Sequence, residues 1–152
     1  MKAITLWQPW ATLVAIGAKT IETRSWSTSY RGPLAIHAAK STPARAWREA
    51  MRPGGNIELA LRAFRVAKDP RDLPRGVILA TCVLADVEEA EKCKARIHER
   101  GDAEESMALM FGDFSPGRFA WHLVGIKPCE APIEWPGMQG LWECPGLQAV
   151  AR

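Results

Sequence analysis

The most hydrophobic run of the chain, GVILATCVL at residues 76–84, restricts the fold more than any other segment. Its length suits a β-strand and is far below the roughly 20 apolar residues that a membrane-spanning helix needs. A Pro-rich loop at residues 69–75 precedes it, as turn-forming residues commonly precede strands. The run therefore predicts a strand at the centre of a sheet, buried in the hydrophobic core.

Shorter segments on both sides of this run predict further strands with helices between them. The expected strands are Ala3–Leu6, Lys19–Trp26, Leu34–Ala38 and Phe119–Ile126. The expected helices are Pro9–Ile16, Pro43–Met51, Asn56–Ala67 and Asp102–Met110. Strands first, helices between them and strands last predict a small mixed α+β sheet or barrel with helices on its flanks.

The chain of 152 residues has the length of a single domain, predicted to span residues 1–152. The two helices expected within residues 43–68 are predicted to be an insertion that packs on the sheet. In the second of them, Leu59, Ala63 and Val66 recur at helical spacing, which predicts a buried stripe.

The segment GAKTIETRSW, residues 17–26, places three charged residues in a stretch that otherwise has the pattern of a half-buried strand. The period of two sends Glu22 and Arg24 to one side of the strand, together with Thr20 and Trp26, and sends Ile21, Thr23 and Ser25 to the other. A solvated surface pair of Glu22 and Arg24 would contribute at most about 1 kcal/mol. In a polar cleft the same side chains could hold a ligand, with Lys19 as a mobile point charge.

Charge is distributed unevenly along the chain. Residues 1–80 contain 13 Lys or Arg against 5 Asp or Glu, whereas residues 81–152 contain 7 against 12. The first half is therefore the better candidate for contact with an anionic partner. The alternative is that the two halves interleave in space and the charges only solvate the surface.

Several functional classes have no sequence support. The N-terminal segment lacks the apolar run of a signal peptide, so we expect a cytoplasmic protein without membrane contact, and we favour a monomer. The four cysteines form no C-x-x-C pair, which predicts free and mostly buried thiols. The three histidines show no metal-site spacing, so His37 and His122 are expected to be structural. We predict neither a metal nor a cofactor.

The motif G-x-K-x-x-E-x-R at residues 17–24 resembles the signature of the ASCH domain, a member of the PUA-like superfamily. Gln8-Pro9-Trp10 precedes it, Tyr30-Arg31-Gly32-Pro33-Leu34 follows it, and Gln139-Gly140-Leu141-Trp142 closes the similarity near the C-terminus. The resemblance implies a closed or partly open β-barrel of about five or six strands, with helices on its flanks and the motif in a cleft.

The resemblance also implies binding of RNA, of another single-stranded nucleic acid or of a modified nucleoside. Single-stranded bases are held by stacking and by hydrogen bonds to their edges, so aromatic residues near the motif become candidates beside the charged ones. The predicted binding residues are Lys19, Glu22, Arg24, Trp26, Tyr30 and Arg31.

Two other functions remain open at this point. Some ASCH-like proteins resemble amidohydrolases of acylated cytidine that use a Lys and a Thr, but here Glu22 occupies the position of that Thr. Hydrolysis would then use Lys19 with a water activated by Glu22, and Glu104 or Glu105 as a later carboxylate; a metal-independent ribonuclease would use Glu22, His37 and Lys19. A protein-interaction module is the third possibility, which applies if the cleft is closed.

Overall fold

The computed structural model describes residues 1–67 and 69–147, and its centre is one six-stranded sheet. The strands are β1 (Lys2–Leu6), β2 (Ile21–Arg24), β3 (Gly32–Ala38), β4 (Val77–Glu89), β5 (Phe119–Glu134) and β6 (Leu141–Glu143). Their order across the sheet is β2-β5-β4-β3-β1-β6. β1 pairs with β3 in parallel, and the other neighbours are antiparallel.

Helices lie between the strands, as the sequence predicted. They are α1 (Trp10–Ala15), α2 (Ala44–Ala50), α3 (Asn56–Ala63), α4 (Ala90–Arg100) and α5 (Ala103–Leu109), with a 3₁₀ turn at Pro70–Asp72. Within the described ranges, no helix is long and apolar enough to cross a membrane.

The central position predicted for the apolar run at residues 76–84 is confirmed, because β4 lies between β3 and β5. Both β4 and β5 are longer than the sequence predicted. They pair from Val77 opposite Glu134 to Glu89 opposite Phe119. Backbone hydrogen bonds thus extend both strands into polar segments, where no burial of apolar side chains indicates a strand.

The sheet is curled into a half-barrel, which confirms the partly open barrel with flanking helices. Irregularities in the β4–β5 pairing, such as the one between Leu84 and Asp86, are features that bend a strand pair. The curl brings the edge strand β2 toward β1, which lies four strands away in the sheet. Across this gap an Arg24 Nη2 group donates a hydrogen bond to the Thr5 carbonyl oxygen at 3.3 Å.

The first helix, α1, connects the sheet to α2 and α3, which we call the helical pair. Ala11 and Val14 of α1 pack into the core of the half-barrel with Leu34, Ile36 and Trp121. The opposite side of α1 presents Leu13 to α3 and to Phe111, so α1 connects the helical pair to the sheet.

The buried stripe predicted for α3 was wrong. Leu59 is 52% exposed, and Ile57 and Leu61 are the buried residues, packing with Leu13. The helix ends at Ala63, so Val66 lies beyond it. The spacing of four residues was correct, but the periodic pattern did not indicate which side of this short helix faces α1.

Candidate functional site

The charged stretch at residues 19–24 lies in a cleft of about 720 Å³ between the sheet edge and the helical pair. Five parts of the chain form its walls: β2 with Lys19, the segment from the end of β1 to α1, the α2–α3 pair, and two loops near residues 110–118 and 138–140. The charged lining residues are Lys19, Arg24, Arg52 and Arg118 with Glu22, Glu49 and Asp113. The sequence predicted that Lys19, Glu22 and Arg24 lie together in a cleft. The structure brings these three residues together here.

Lys19 forms the base of the cleft and is only 1% exposed. Its Nζ donates hydrogen bonds to the carbonyl oxygens of Ile21 at 2.7 Å and Phe111 at 3.2 Å, and it lies 3.1 Å from Glu22 Oε2. An ammonium group has three donors, and all three have partners within the protein. Lys19 is therefore a fixed support for Glu22 rather than the mobile charge that the sequence suggested.

Glu22 and Arg24 lie next to each other on the cleft wall, as the period of two predicted. One oxygen of Glu22 faces Lys19, and the other lies 3.8 Å from Arg24 Nη1. The Glu22 side chain is 11% exposed and the Arg24 side chain 24% exposed, so both reach the cleft surface. Arg24 Nε is buried with no hydrogen-bond partner among the described residues. The pair presents acceptor and donor groups side by side, with the carboxylate already held in place.

Trp26 lies behind the cleft wall and is not among the residues that line it. Its ring packs edge-on against Trp121, with ring centroids 4.7 Å apart and an interplanar angle of 87°. The Arg24 guanidinium lies 5.9 Å from the centroid of the same ring. Trp26 thus supports Arg24 from behind, which differs from the direct ligand contact that the sequence predicted.

Tyr30 and Arg31 do not line the cleft, although the sequence predicted that they would reach it. The Tyr30 hydroxyl donates to the Pro33 carbonyl at 2.6 Å, and burial raises the pKa of Tyr30. Arg31 Nη2 donates to Asp86 Oδ1 at 3.0 Å. Both residues follow β2 in the turn that leads to β3, and this turn points toward β4 rather than back to the motif.

The cleft also contains residues that the sequence analysis missed. Trp7 lines it and is 50% exposed, which leaves one indole free at its edge. Arg118 donates to the carbonyl oxygens of Asp113 at 3.0 Å and Thr23 at 3.1 Å, so it joins the loop before β5 to β2. Pairing of Arg24 with Phe119 places Arg118 beside the motif, so a predicted β2–β5 pairing would have identified it.

Thr23 also lines the cleft, although the alternation of side chains assigned it to the other side of β2. Its Oγ1 accepts a hydrogen bond from the backbone N–H of Asp113 at 3.0 Å. The pKa of Asp113 lies below its usual range, first because the side chain of Ser115 donates to it and next because the Ser115 backbone N–H does. This loop is therefore fastened to the motif strand by backbone and side-chain contacts together.

The residues proposed for hydrolysis are dispersed. His37 is 1% exposed and its Nε2 lies 2.9 Å from the Trp135 carbonyl, away from the cleft lining. Glu105 contacts Arg96 at 3.3 Å and is also outside the cleft. The side chain of Glu104 lies outside the part of the chain that the structure describes.

One further cluster joins residues far apart in the sequence. Ligand-type atoms of Glu88, Cys93 and His122 lie within 4.8 Å of one another, a grouping that could hold a metal ion and that the sequence spacing did not reveal. Arg96, however, already lies 2.7 Å from Glu88 Oε1 and 3.3 Å from Glu105 Oε2. The guanidinium thus supplies a positive charge to both carboxylates, and the absence of a metal stays a prediction.

Titration in this cluster follows the same contacts. Burial raises the pKa of the Cys93 thiol to about 12, and the nearby Glu88 carboxylate acts in the same direction. For Glu88, burial alone would raise the pKa, but hydrogen bonds from Arg96 and His122 outweigh it and lower the pKa overall. Cys93 is therefore protonated and Glu88 ionised near neutral pH, as a closed hydrogen-bond network requires.

Comparison with known proteins identifies relatives of this chain. The chain is 34% identical over 86 residues to Activating signal cointegrator 1 of Homo sapiens and of Mus musculus, covering 55% of this chain. It spans only 14% of the length of those relatives. The crystal structure of ASCH from Zymomonas mobilis superposes with a TM-score of 0.47 at 14% identity, covering 88% of this chain and 72% of that one.

The model of the ASCH domain family matches residues 4–133, which include the cleft motif and five of the six strands in whole or in part. Because this match covers most of the sequence, the chain belongs to the ASCH domain family, a group with a PUA-like fold that is generally associated with RNA binding.

Proposed function

We propose that the cleft binds one nucleotide of an RNA strand, with Glu22 and Arg24 contacting the base. The observation that carries this proposal is the arrangement of Glu22, whose carboxylate is fixed by the buried Lys19 at 3.1 Å and lies beside the Arg24 guanidinium. Groups that are already held in place lose little conformational freedom on binding. The cleft volume of about 720 Å³ is within the range of small-molecule sites.

The charges favour particular base edges. A carboxylate accepts hydrogen bonds and cannot donate them, so Glu22 suits the exocyclic amino group of cytosine, adenine or guanine. Uracil has a carbonyl oxygen where cytosine has its amino group, and this oxygen would face the carboxylate unfavourably. Arg24 supplies donors to a neighbouring acceptor on the same base or to its phosphate.

Trp7 supplies the stacking surface of the proposed site. It is 50% exposed at the edge of the cleft, whereas the motif aromatic Trp26 is packed against Trp121. Stacking of a base on an aromatic side chain contributes roughly 1–3 kcal/mol. An exposed indole next to a fixed carboxylate therefore combines sequence-tolerant affinity with a base-selective contact.

The test measures binding of cytidine monophosphate and uridine monophosphate by isothermal titration calorimetry. We expect cytidine monophosphate to bind at least about tenfold tighter, the effect of roughly 1–3 kcal/mol from one matched base contact. Glu22→Gln should remove this preference and Arg24→Gln should weaken both ligands. Glu130→Gln is the matched control, because Glu130 is exposed on β5 and outside the cleft lining.

Two results would contradict the proposal: no binding of any nucleotide to the wild-type protein, or equal selectivity in wild type and Glu22→Gln. A thermal-shift screen of modified nucleosides and short oligonucleotides covers other ligands. A ligand present at 100 times its dissociation constant adds about 2.7 kcal/mol to the free energy of unfolding.

Hydrolysis has less support than binding. Lys19 has all its donors in use, Thr23 Oγ1 is engaged by Asp113, and the described residues that line the cleft include no histidine. The same titration samples, analysed by mass spectrometry for product, test this alternative. Turnover that Glu22→Gln abolishes would replace binding by hydrolysis as the function of the cleft.

A further inference from the structure

The helix α2 carries a row of arginines beside the cleft. Arg45, Arg48 and Arg52 are spaced by three and four residues, which puts them on one side of a helix. All three are exposed, and Arg52, just beyond the helix end, also lines the cleft. We call these three residues the arginine row.

The arginine row lacks the carboxylate partners that several other arginines have, a property that it shares with Arg65, Arg75 and Arg100 among the described residues. Ion pairs join Arg31 to Asp86, Arg62 to Glu58, Arg71 to Asp69, Arg96 to Glu88 and Arg118 to Asp113. Within the described residues, no member of the arginine row forms an ion pair. Like charges three or four residues apart on a helix destabilise it slightly, so this arrangement is not explained by helix stability.

The position of the row relates it to the cleft. Ala46 and Ala50 of α2 line the cleft and are small, so the helix lies close to the bound space. Around the helix, Glu49, which also lines the cleft, lies between Ala46 and Arg45. Arg45 and Arg52 therefore lie next to the lining side, and Arg48 lies farther round the helix. Seven residues correspond to about 10 Å along the axis, so the row extends well beyond the space of a single base.

We propose that single-stranded RNA lays the phosphates next to the cleft-bound nucleotide along the arginine row. This inference rests on the proposed function, because it takes the cleft as the place where one nucleotide is held. The ligand is then a strand of several nucleotides rather than a free nucleoside. Arginine is suited to this contact because its planar guanidinium binds phosphate through two parallel hydrogen bonds.

The proposal assigns the phosphate contacts to the arginine row and not to Arg31, one of the binding residues that the sequence predicted. That residue belongs to the basic first half of the sequence, but its guanidinium contacts Asp86 and the backbone carbonyls of Thr28 and Tyr30. Among the residues that the structure describes, the arginine row has no side-chain hydrogen bond or ion pair that RNA would have to displace.

The experiment measures the dissociation constant of a fluorescently labelled cytidine hexanucleotide at several KCl concentrations. For single strands, each phosphate contact contributes about 0.7 to the slope of log affinity against log salt. The double variant R45Q/R48Q should therefore reduce the slope by about 1.4, and it should lose much of the gain in affinity from mononucleotide to hexanucleotide. R100Q is the matched control, since Arg100 is exposed at the end of α4 and does not line the cleft.

A slope in R45Q/R48Q equal to that of wild type would overturn the inference, as would an equal reduction in R100Q. Circular dichroism melting of each variant verifies that α2 remains folded. If the proposed function itself is wrong, the wild-type protein should bind neither cytidine monophosphate nor the hexanucleotide. If the mononucleotide binds and the slopes agree, the inference about the arginine row alone is wrong.

Discussion

Lys19 illustrates how burial determines the role of a charged residue. In the sequence it stands three residues before Glu22 and has the appearance of a surface cation. In the structure the ammonium group is enclosed by two backbone carbonyls and one carboxylate. A buried charge with a full set of partners is costly to disturb, because removing one partner leaves the others desolvated and unpaired. Lys19 is thus a positioning residue for Glu22.

We predict that Lys19→Met destabilises the protein by about 3 kcal/mol, because the Glu22 carboxylate and two carbonyl groups lose their shared donor. Urea unfolding followed by tryptophan fluorescence measures the change. Lys92→Met is the control, since Lys92 pairs with Glu89 only at the exposed surface and should cost less than about 1 kcal/mol. Equal stability of Lys19→Met and wild type would show that the ammonium group is not part of the structural core.

His37 provides a prediction about pH. Burial is the main cause that lowers its pKa from 6.5, Lys40 adds to the effect, and the hydrogen bond with the Trp135 carbonyl opposes it. As pH falls below about 6.5, the unfolded chain therefore takes up a proton before the folded protein does. The contribution of neutral His37 to the free energy of unfolding is complete above about pH 6.5 and should decrease as the pH falls below that value.

The measurement compares urea unfolding of wild type and His37→Gln between pH 7.5 and about pH 5. Glutamine keeps a donor for the Trp135 carbonyl but does not titrate. The difference in unfolding free energy between the two proteins should shift in favour of His37→Gln at the acidic end. A difference that is constant with pH would mean that His37 titrates alike in the folded and unfolded states.

At the level of elements, the sequence predicted what depends on local patterns. The central strand β4, the shared side of Glu22 and Arg24 and the approximate positions of α1, α2, α3 and α5 follow from apolar runs, the period of two and helix-boundary residues. The helix α4, in a highly charged stretch, was not predicted. Side-chain partners in distant segments do not follow from such patterns. Lys19 contacts the Phe111 carbonyl in the loop after α5, and Arg24 contacts the Thr5 carbonyl across the curl of the sheet. The contact between Arg31 and Asp86, which accompanies the turn away from the cleft, also joins distant segments.

The segment at residues 135–140, which we call the strap, joins the sheet edge to the cleft. The Trp135 carbonyl contacts His37, and Thr5 Oγ1 donates to the Met138 carbonyl at 2.8 Å. Met138, Gln139 and Gly140 form part of the cleft lining. The position of the strap therefore depends on close packing of Gly137 over the His37 ring.

We predict that Gly137→Ala displaces the strap and weakens nucleotide binding. A Cβ atom at this position would lie 2.8 Å from His37 Nδ1, closer than atoms pack without movement. The cost should be about 1–3 kcal/mol of unfolding free energy, the usual range for overpacking. In a His37→Ala background, where the ring is absent, the same substitution should cost much less. If Gly137→Ala lowered the free energy of unfolding equally in both backgrounds, the position of the strap would not depend on its contact with the His37 ring.

At the scale of the whole molecule, the open side of the half-barrel and the cleft are the same feature. A closed barrel would pair the edge strand β2 with the edge strand β6. Here, within residues 1–67 and 69–147, β2 reaches β1 through the hydrogen bond from Arg24 to the Thr5 carbonyl. The helical pair, the strap and the loop at residues 110–113 complete the enclosure. Ligand binding would therefore connect four segments that the sheet alone does not join. Whether the helical pair is an insertion and the chain one domain stays a prediction.

This arrangement predicts where hydrogen exchange should slow when the cytidine hexanucleotide binds. Amides in β2, in α2, in residues 110–113 and in the strap should exchange more slowly, because a ligand that bridges these segments suppresses their local opening. The turn at residues 28–31 and the helix α4 should be unchanged, since neither lines the cleft. Mass spectrometry of peptides from free and bound protein measures both sets in one experiment. Slower exchange at residues 28–31 with no change in β2 would place the ligand on Tyr30 and Arg31 instead, and would contradict the cleft as the binding site.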